Sequence, residues 1–146
     1  MGRRALVSSH GIHLNADALA EDVDYSDVDM VILPGGIPGT PNLAENKTVT
    51  DTCVSFAKAG KKVAAICAAP TILAMLGITD GRRATCYPGC EGQMGSADMV
   101  CVPAVTDGKL ITGTSAGCAV PFGLALIAAL KGQAAAQAVA EQIVIR

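Results

Sequence analysis

Three short, mostly apolar runs, each followed directly by a turn, constrain the fold of this chain most strongly. Runs of this kind, without alternation of polar and apolar residues, are typical of strands buried on both faces of a parallel sheet. The runs span residues 30–33, 62–66 and 110–112, and the turns are Pro34-Gly35-Gly36, Cys67-Ala68-Ala69 and Thr114-Ser115-Ala116-Gly117. Helical patterns at 46–59, 70–76, 119–130 and 134–143 alternate with them. The alternation predicts an α/β fold with a mostly parallel sheet.

The remaining segments are shorter and carry weaker patterns. Residues 4–8 and 12–16 are predicted to be extended, 17–22 to form a helical turn, and 83–86 and 99–102 to form short strands. The 119–130 helix is apolar nearly all round, which predicts that it is buried. Without an internal repeat or a linker, residues 1–146 are predicted to form a single domain.

Composition and charge exclude several classes of function. Hydrophobic residues make up 51% of the 146 residues and aromatics only 3%, so the core is expected to consist of small aliphatic side chains. No apolar run reaches the roughly 18 residues of a membrane span. The net charge is −2, and no basic stripe carries interleaved aromatics, so neither a membrane nor a nucleic-acid partner is expected. Six acids between Asp17 and Asp29 lack the calcium-loop spacing, and no metal site is predicted.

Six cysteines are present, and in a chain with no sign of secretion they are expected to be reduced thiols of a cytoplasmic protein. Cys86 and Cys90 are spaced C-x3-C, without the second pair or the histidines that a zinc site needs. A reversible disulfide between these two remains an open alternative. The six are Cys53, Cys67, Cys86, Cys90, Cys101 and Cys118.

Cys67 lies where a strand pattern stops and a helix pattern begins. Unpaired amides at a helix N-terminus favour negative charge, and the thiolate is the reactive form of cysteine. The N–H groups of Gly36 and Ala68 are expected to converge beside this sulfur as an oxyanion hole. The alternatives are that the thiol is an apolar filler of the core and that the glycine only serves a tight turn.

Five segments of the sequence together resemble the ThiJ/PfpI superfamily, in its DJ-1 branch. The resemblance covers the chain from about Val7 to its end. The matching segments are Val31-Ile32-Leu33-Pro34-Gly35-Gly36-Ile37-Pro38-Gly39 with Asn42-Leu43, Ala64-Ala65-Ile66-Cys67-Ala68-Ala69-Pro70, Gly81-Arg82-Arg83-Ala84-Thr85-Cys86-Tyr87-Pro88-Gly89, Asp107-Gly108-Lys109-Leu110-Ile111-Thr112-Gly113 and Ser9-His10-Gly11-Ile12.

The resemblance implies a flavodoxin-like three-layer α/β sandwich of the class I glutamine amidotransferase type, usually a homodimer that needs no cofactor. It implies that Cys67 is a nucleophile on a strained elbow, with Gly36 and Ala68 as oxyanion donors. Activities ascribed to the family include glyoxalase chemistry on 2-oxoaldehydes, repair of glycated groups, chaperone action, sensing of oxidative stress and, in another branch, peptide hydrolysis. The motifs do not choose among them.

Two departures from the family pattern bear on this expectation. Family members carry an upstream strand and helix with a glutamate that hydrogen-bonds the cysteine, and nothing before Val7 matches that stretch. Its absence is expected to leave a sheet edge and apolar surface open to another chain. Tyr87 stands where some relatives have a histidine, and tyrosine is a poor base at neutral pH. Of the two histidines, His10 is then a better candidate for the pocket than His13, the alternative being that both are surface residues. Gly117 and Cys118 are expected to border the pocket, and Cys118 is either a second redox-active thiol near Cys67 or an ordinary packing residue.

Four readings of function follow. The first is a cysteine-dependent enzyme of the glyoxalase or deglycase type that acts on small reactive carbonyls in stress protection. The second is a non-enzymatic redox sensor or chaperone-like protein, in which an oxidant is the partner of Cys67. The third is an inactive, truncated family member. A glutamine amidotransferase ranks lowest, because only Glu141 and no histidine lies late in the chain.

Overall fold

The computed structural model describes residues 4–145. These residues form eight strands and five α-helices. The strands are β1 (Ala5–Val7), β2 (His13–Asn15), β3 (Met30–Leu33), β4 (Lys62–Ile66), β5 (Arg83–Ala84), β6 (Asp98–Met99), β7 (Ala104–Asp107) and β8 (Leu110–Gly113). The helices are α1 (Gly39–Glu45), α2 (Lys47–Lys58), α3 (Pro70–Met75), α4 (Ala119–Lys131) and α5 (Gln133–Gln142).

A four-stranded sheet in the order β3-β4-β8-β7 forms the centre of the fold. The β3–β4 and β4–β8 pairs are parallel, and β7 joins the edge antiparallel to β8. The three predicted runs are therefore the three parallel strands, which confirms the predicted α/β class and the mostly parallel sheet. Because they run in the same direction, their carboxyl ends and the turns that follow lie along one edge.

Helices cover both faces of this sheet, which gives three layers. On one face, side chains of α1, α2 and α3 pack with alternate residues of β3, β4 and β8 around Phe56, Ile72 and Leu73. On the other face, Phe122 of α4 packs against Ala64 and neighbouring strand residues. Helix α5 packs against α4. Within the described range, none of the helices combines the length and apolar character needed to cross a membrane.

Two small sheets lie beside the central one. Strands β1 and β2 form an antiparallel hairpin whose six residues are all exposed, and β5 pairs with β6 in parallel. Strand β3 forms one edge of the central sheet, and Ile32 on it is 45% exposed. Apolar side chains therefore meet solvent both on the hairpin and at this edge.

The sequence patterns missed helix α1 and misplaced the strands around residue 100. Helix α1 was not predicted, because Pro38, Gly39 and Pro41 read as a loop; Pro41 lies in its first turn, where a proline removes no helical hydrogen bond. Of the strand predicted at 99–102 only Met99 lies in a strand, as the end of β6, and β7 begins later, at Ala104. The strand predicted at 83–86 is limited to β5.

The prediction that the helix at 119–130 is buried is wrong. Phe122 is its only buried residue, and Val120 and Leu130 are 42% and 41% exposed. The helix contacts the sheet on one side and α5 on another, so the rest of its apolar circumference stays partly open. Periodicity could not show this, because a helix that is apolar on every side carries no signal for which side is covered.

Replacement of Gly113 by Ala is expected to destabilise the fold. A Cβ at Gly113 would lie 2.9 Å from the Phe122 ring and 3.0 Å from a carbon of Ile66. Overpacking of this kind costs about 1–3 kcal/mol. The matched control is Gly123→Ala in α4, where a Cβ meets nothing within 4 Å. Urea denaturation should show a lower unfolding free energy for the Gly113 variant only; equal values would contradict the packing described here.

Candidate functional site

The register of β3 and β4 brings the glycine turn against the predicted cysteine elbow. Leu33 of β3 pairs with Ala65 of β4. Two residues after each of them, Gly35 and Cys67 therefore lie side by side. A Cβ built on Gly35 would lie 2.6 Å from the Cβ of Cys67 and 2.8 Å from the carbonyl oxygen of Ile66. Any side chain at position 35 would therefore displace the cysteine. The sequence reading selected Gly36 for the site and missed this contact of Gly35.

Cys67 adopts a backbone conformation that is unusual for a residue with a side chain. Its φ is 66°, in the left-handed region, between the last residue of β4 and the first turn of α3. Such a conformation costs on the order of 1–3 kcal/mol and persists only when neighbouring structure holds it. Two hydrogen bonds do so: the Cys67 N–H donates to Gly113 O (2.9 Å), and the Tyr87 N–H donates to Cys67 O (2.7 Å). The residue is half-buried.

The two predicted oxyanion donors flank this residue. Gly36 has a φ of 101°, and its carbonyl accepts a hydrogen bond from the Thr40 N–H (2.8 Å). The Ala68 nitrogen lies 3.3 Å from the position of a Cβ on Gly35, and its carbonyl accepts from Thr71 Oγ1 (2.7 Å). Neither the Gly36 nor the Ala68 N–H donates a hydrogen bond to an acceptor among residues 4–145. Both donors are thus open to a bound group, and their role as an oxyanion hole stays a prediction.

The side chains predicted as proton carriers are less well placed than the backbone. Tyr87 is 48% exposed, and its recorded contact with the elbow is made by its backbone N–H. His10 is exposed in the β1–β2 turn, with Nδ1 3.1 Å from Ser9 Oγ. Among the described residues, neither side chain hydrogen-bonds Cys67. The structure therefore brings the glycine and alanine amides to the elbow but identifies no base there.

Gly117 and Cys118 lie in a short 3-10 turn, Ala116–Cys118, after the end of β8. Gly117 is exposed, and Cys118 is half-buried with its sulfur 3.7 Å from Ser115 Oγ. The turn follows the same sheet edge as the elbow, as expected for the pocket border. Cys67 and Cys118 are both free thiols, and a redox role for Cys118 beside Cys67 stays a prediction.

A threonine network next to this edge was missed by the sequence analysis. Thr112 Oγ1 accepts from the Thr85 N–H, and the hydroxyls of Thr85 and Thr114 are 2.9 Å apart. Thr114 in turn donates to the carbonyl of Val102. The network ties the end of β8 to the strand that precedes Tyr87. Its only sequence signal is a threonine at each of these strand ends, which is too common a pattern to be informative.

The six thiols differ in their surroundings. All are free, and Cys101 is exposed. Burial raises the pKa of the Cys53 thiol to about 11. Burial, followed by the negative charges of Glu91 and Cys90, raises the pKa of Cys86 to about 11. These two thiols are therefore poor nucleophiles at neutral pH. Within residues 4–145, no three potential metal ligands cluster together.

A groove of about 520 Å³ runs between the β1–β2 hairpin and the loop that carries Gly35 and Gly36. Apolar side chains of both elements line it, together with the hydroxyls of Ser8 and Ser9 and the amides of Asn42 and Asn46. A small ligand in this groove would lie beside the glycine side of the elbow. The groove adds polar groups that the sequence analysis did not assign to the site.

The sequence profile of the DJ-1/PfpI family matches residues 1–129. Drosophila melanogaster protein dj-1beta is 33% identical over 146 residues, which span 99% of this chain and 78% of that protein. The crystal structure of Drosophila DJ-1beta has a TM-score of 0.92 at 33% identity and covers 99% of this chain and 79% of its own. The flavodoxin-like, class I glutamine amidotransferase-like fold implied by the resemblance is thereby confirmed.

Two further relatives carry names that state an activity. A protein of Pyrococcus abyssi named a deglycase is 34% identical over 116 residues, which cover 75% of this chain and 67% of that protein. A protein of Caenorhabditis elegans named a glutathione-independent glyoxalase is 32% identical over 124 residues, which cover 84% of this chain and 66% of its own length. At these identities the match shows kinship rather than a particular reaction.

Replacement of Gly35 by Ala is expected to remove the special reactivity of Cys67. The added Cβ cannot fit at 2.6 Å from the cysteine Cβ, so the elbow must shift. We expect the rate of Cys67 alkylation by iodoacetamide to fall by about tenfold or more, because a displacement of roughly 1 Å has effects of that size or larger at reactive sites. In the control, Gly39→Ala, the Cβ meets nothing within 4 Å. Equal rates in both variants would contradict the tight contact.

Proposed function

The chain belongs to the DJ-1/PfpI family, and on that premise we propose that it acts on small reactive carbonyl compounds through Cys67, as a cofactor-free enzyme of the glyoxalase or deglycase type. The observation that carries the proposal is the positive φ of Cys67 beside two N–H groups without acceptors. A nucleophile on a strained turn with adjacent amide donors is suited to attack on a carbonyl carbon. The names of the Pyrococcus and Caenorhabditis relatives favour the same substrate class.

The first step forms a bond between the Cys67 sulfur and the aldehyde carbon of a 2-oxoaldehyde. The carbonyl π electrons move to the oxygen, whose negative charge the N–H groups of Gly36 and Ala68 stabilise until a proton arrives. The product of this step is a hemithioacetal. Its formation needs a deprotonated thiol and no oxidant, because the carbonyl itself accepts the electron pair.

The second step moves a proton from the aldehyde carbon to the neighbouring carbon and the hydroxyl proton from the first oxygen to the second, which turns the hemithioacetal into a thioester. Water then cleaves the thioester, so that 2-oxoaldehyde and water give a 2-hydroxy acid and the thiol is regenerated. A base must carry the proton in this step. The proposal assigns that role to His10 or Tyr87, whose exposed side chains would have to move toward the elbow.

Cys67→Ser is expected to abolish the conversion of methylglyoxal to lactate. A serine hydroxyl is far less ionised than a thiol, so we expect a loss of at least about 100-fold in kcat/KM. The matched control is Cys101→Ser, which removes an exposed thiol outside the elbow and should retain the wild-type rate. Lactate is measured enzymatically after timed quenching. Equal rates for Cys67→Ser and wild type, or no turnover by folded wild type, would overturn the proposal, and the second result would favour the inactive alternative.

The second candidate is a redox-responsive, non-enzymatic role, and it rests on the contrast among the thiols. Cys67 is half-buried beside open amide donors, whereas Cys53 and Cys86 are buried with raised pKa values. Oxidation of Cys67 to a sulfenic or sulfinic acid would place oxygen atoms where these donors can bind them. The exposed apolar hairpin also suits a chaperone-like role.

Peroxide titration at neutral pH is expected to oxidise Cys67 before the other five cysteines. The amide donors stabilise the acid product, whereas Cys101 is exposed but outside this turn. Peptide mass spectrometry after mild peroxide treatment measures the occupancy of each site. Oxidation of Cys101 ahead of Cys67, or oxidation of all six at one rate, would contradict the redox role.

The proposal includes a homodimer that works in the cytoplasm during carbonyl or oxidative stress. The apolar side chains exposed on the hairpin, Leu6 at 50%, Val7 at 62% and Leu14 at 55%, support burial between two copies. Six free thiols suit a reducing compartment. A monomer mass in sedimentation equilibrium at micromolar concentration would refute the dimer.

A further inference from the structure

A second pocket, of about 460 Å³, lies at the end of the sheet opposite to Cys67. It is formed where β4 and β8 begin and where α2 and α3 end. Five aliphatic side chains larger than alanine form its floor, two of them buried strand residues. They are Val54, Val63, Leu76, Ile78 and Leu110. An apolar floor of this size suits the body of a small organic molecule.

The rim of this pocket is strongly cationic in a chain that is acidic overall. Four basic side chains line it, against the single carboxylate of Asp80, which leaves a local charge of +3 in a chain whose net charge is −2. The four are Lys58, Lys61, Arg82 and Lys109. Both helices direct their C-terminal ends here, and each end contributes only about half a negative charge, so the rim stays positive.

The C-terminal carbonyls of α2 and α3 do not take these cationic side chains as hydrogen-bond partners. In α2 the N–H of Lys61 donates to the carbonyl of Phe56 (2.9 Å), and in α3 the N–H of Ile78 donates to that of Leu73 (2.9 Å). Both bonds close the final turn of their helix from the backbone itself. The side chains on the rim are therefore not needed to satisfy the terminal carbonyls.

None of the four cations forms an ion pair among residues 4–145, and two of them are held by backbone carbonyls. Lys61 Nζ is held by three backbone carbonyls of the segment 25–28, and Arg82 Nη1 donates to Asp107 O (3.3 Å). Asp80 accepts from Ser96 Oγ (2.8 Å). Lys58 and Lys109 form no ion pair with any residue between 4 and 145. These two ammonium groups are free to bind an anion above the apolar floor.

We propose that this pocket binds a small amphiphilic carboxylate, with its apolar chain on the floor and its carboxylate between Lys58 and Lys109. The floor supplies affinity that grows with chain length, and the rim selects the charge of the head group. The site shares no lining residue with the Cys67 elbow, so its ligand is independent of the carbonyl chemistry proposed above.

Titration of the full chain with octanoate, followed by amide NMR, tests this site. We expect saturable shifts at residues 57–63, 76–78 and 108–110, with little change around residue 67. Acetate should bind more weakly because it lacks the chain, and octyltrimethylammonium should not bind because its head group is cationic. Lys58→Gln with Lys109→Gln is expected to weaken octanoate by roughly fivefold, as two exposed charge contacts predict.

Lys131→Gln is the matched control, because it removes an exposed lysine at the end of α4, outside the pocket. It should bind octanoate as the wild type does. The proposal is overturned if shifts are not saturable, if they centre elsewhere, if octyltrimethylammonium binds equally well, or if the Lys131 variant loses as much affinity as the double variant.

Discussion

The contact between Gly35 and Cys67 is the constraint on which the candidate site depends. The register between the parallel strands β3 and β4 places one residue that follows each strand at the same point at the end of the sheet. Position 35 has no room for a side chain, since a Cβ on Gly35 would lie 2.6 Å from the Cβ of Cys67. The close approach fixes the elbow against the glycine turn, while β8 and the Tyr87 N–H supply the two hydrogen bonds that anchor Cys67.

The two edges of the sheet differ in chemistry because of the direction of its strands. The carboxyl edge collects glycine turns, backbone N–H groups and the half-buried thiol, which suits reaction with an electrophile. The amino edge collects an aliphatic floor and free lysines, which suit retention of an anion despite the partial negative charge of the helix C-termini there. The elbow and the cationic pocket thus lie at opposite edges of one sheet, and Cys67, Gly35, Gly36 and Ala68 do not line the pocket.

Much of the fold could be predicted because the three parallel strands carry both buried runs and strong turn signals at their ends. Cys67, Gly36 and Ala68 could be selected from the same signals. The close approach of Gly35 could not, because it depends on the register between strands that are distant in sequence. The burial of helix α4 was predicted wrongly for a related reason. Its residues are apolar on every side, and only the packed structure shows which side is covered. The threonine network and the cationic pocket join residues that are far apart along the chain.

A crystal structure of the chain at a resolution that defines the backbone at residue 67 is the most direct measurement of the central claim. The account predicts a φ of Cys67 near 66°, Gly35 in contact with its Cβ, and the N–H groups of Gly36 and Ala68 directed at the sulfur or at a ligand bound to it. A φ of Cys67 in the ordinary negative range, with either amide donating to another protein group, would contradict it.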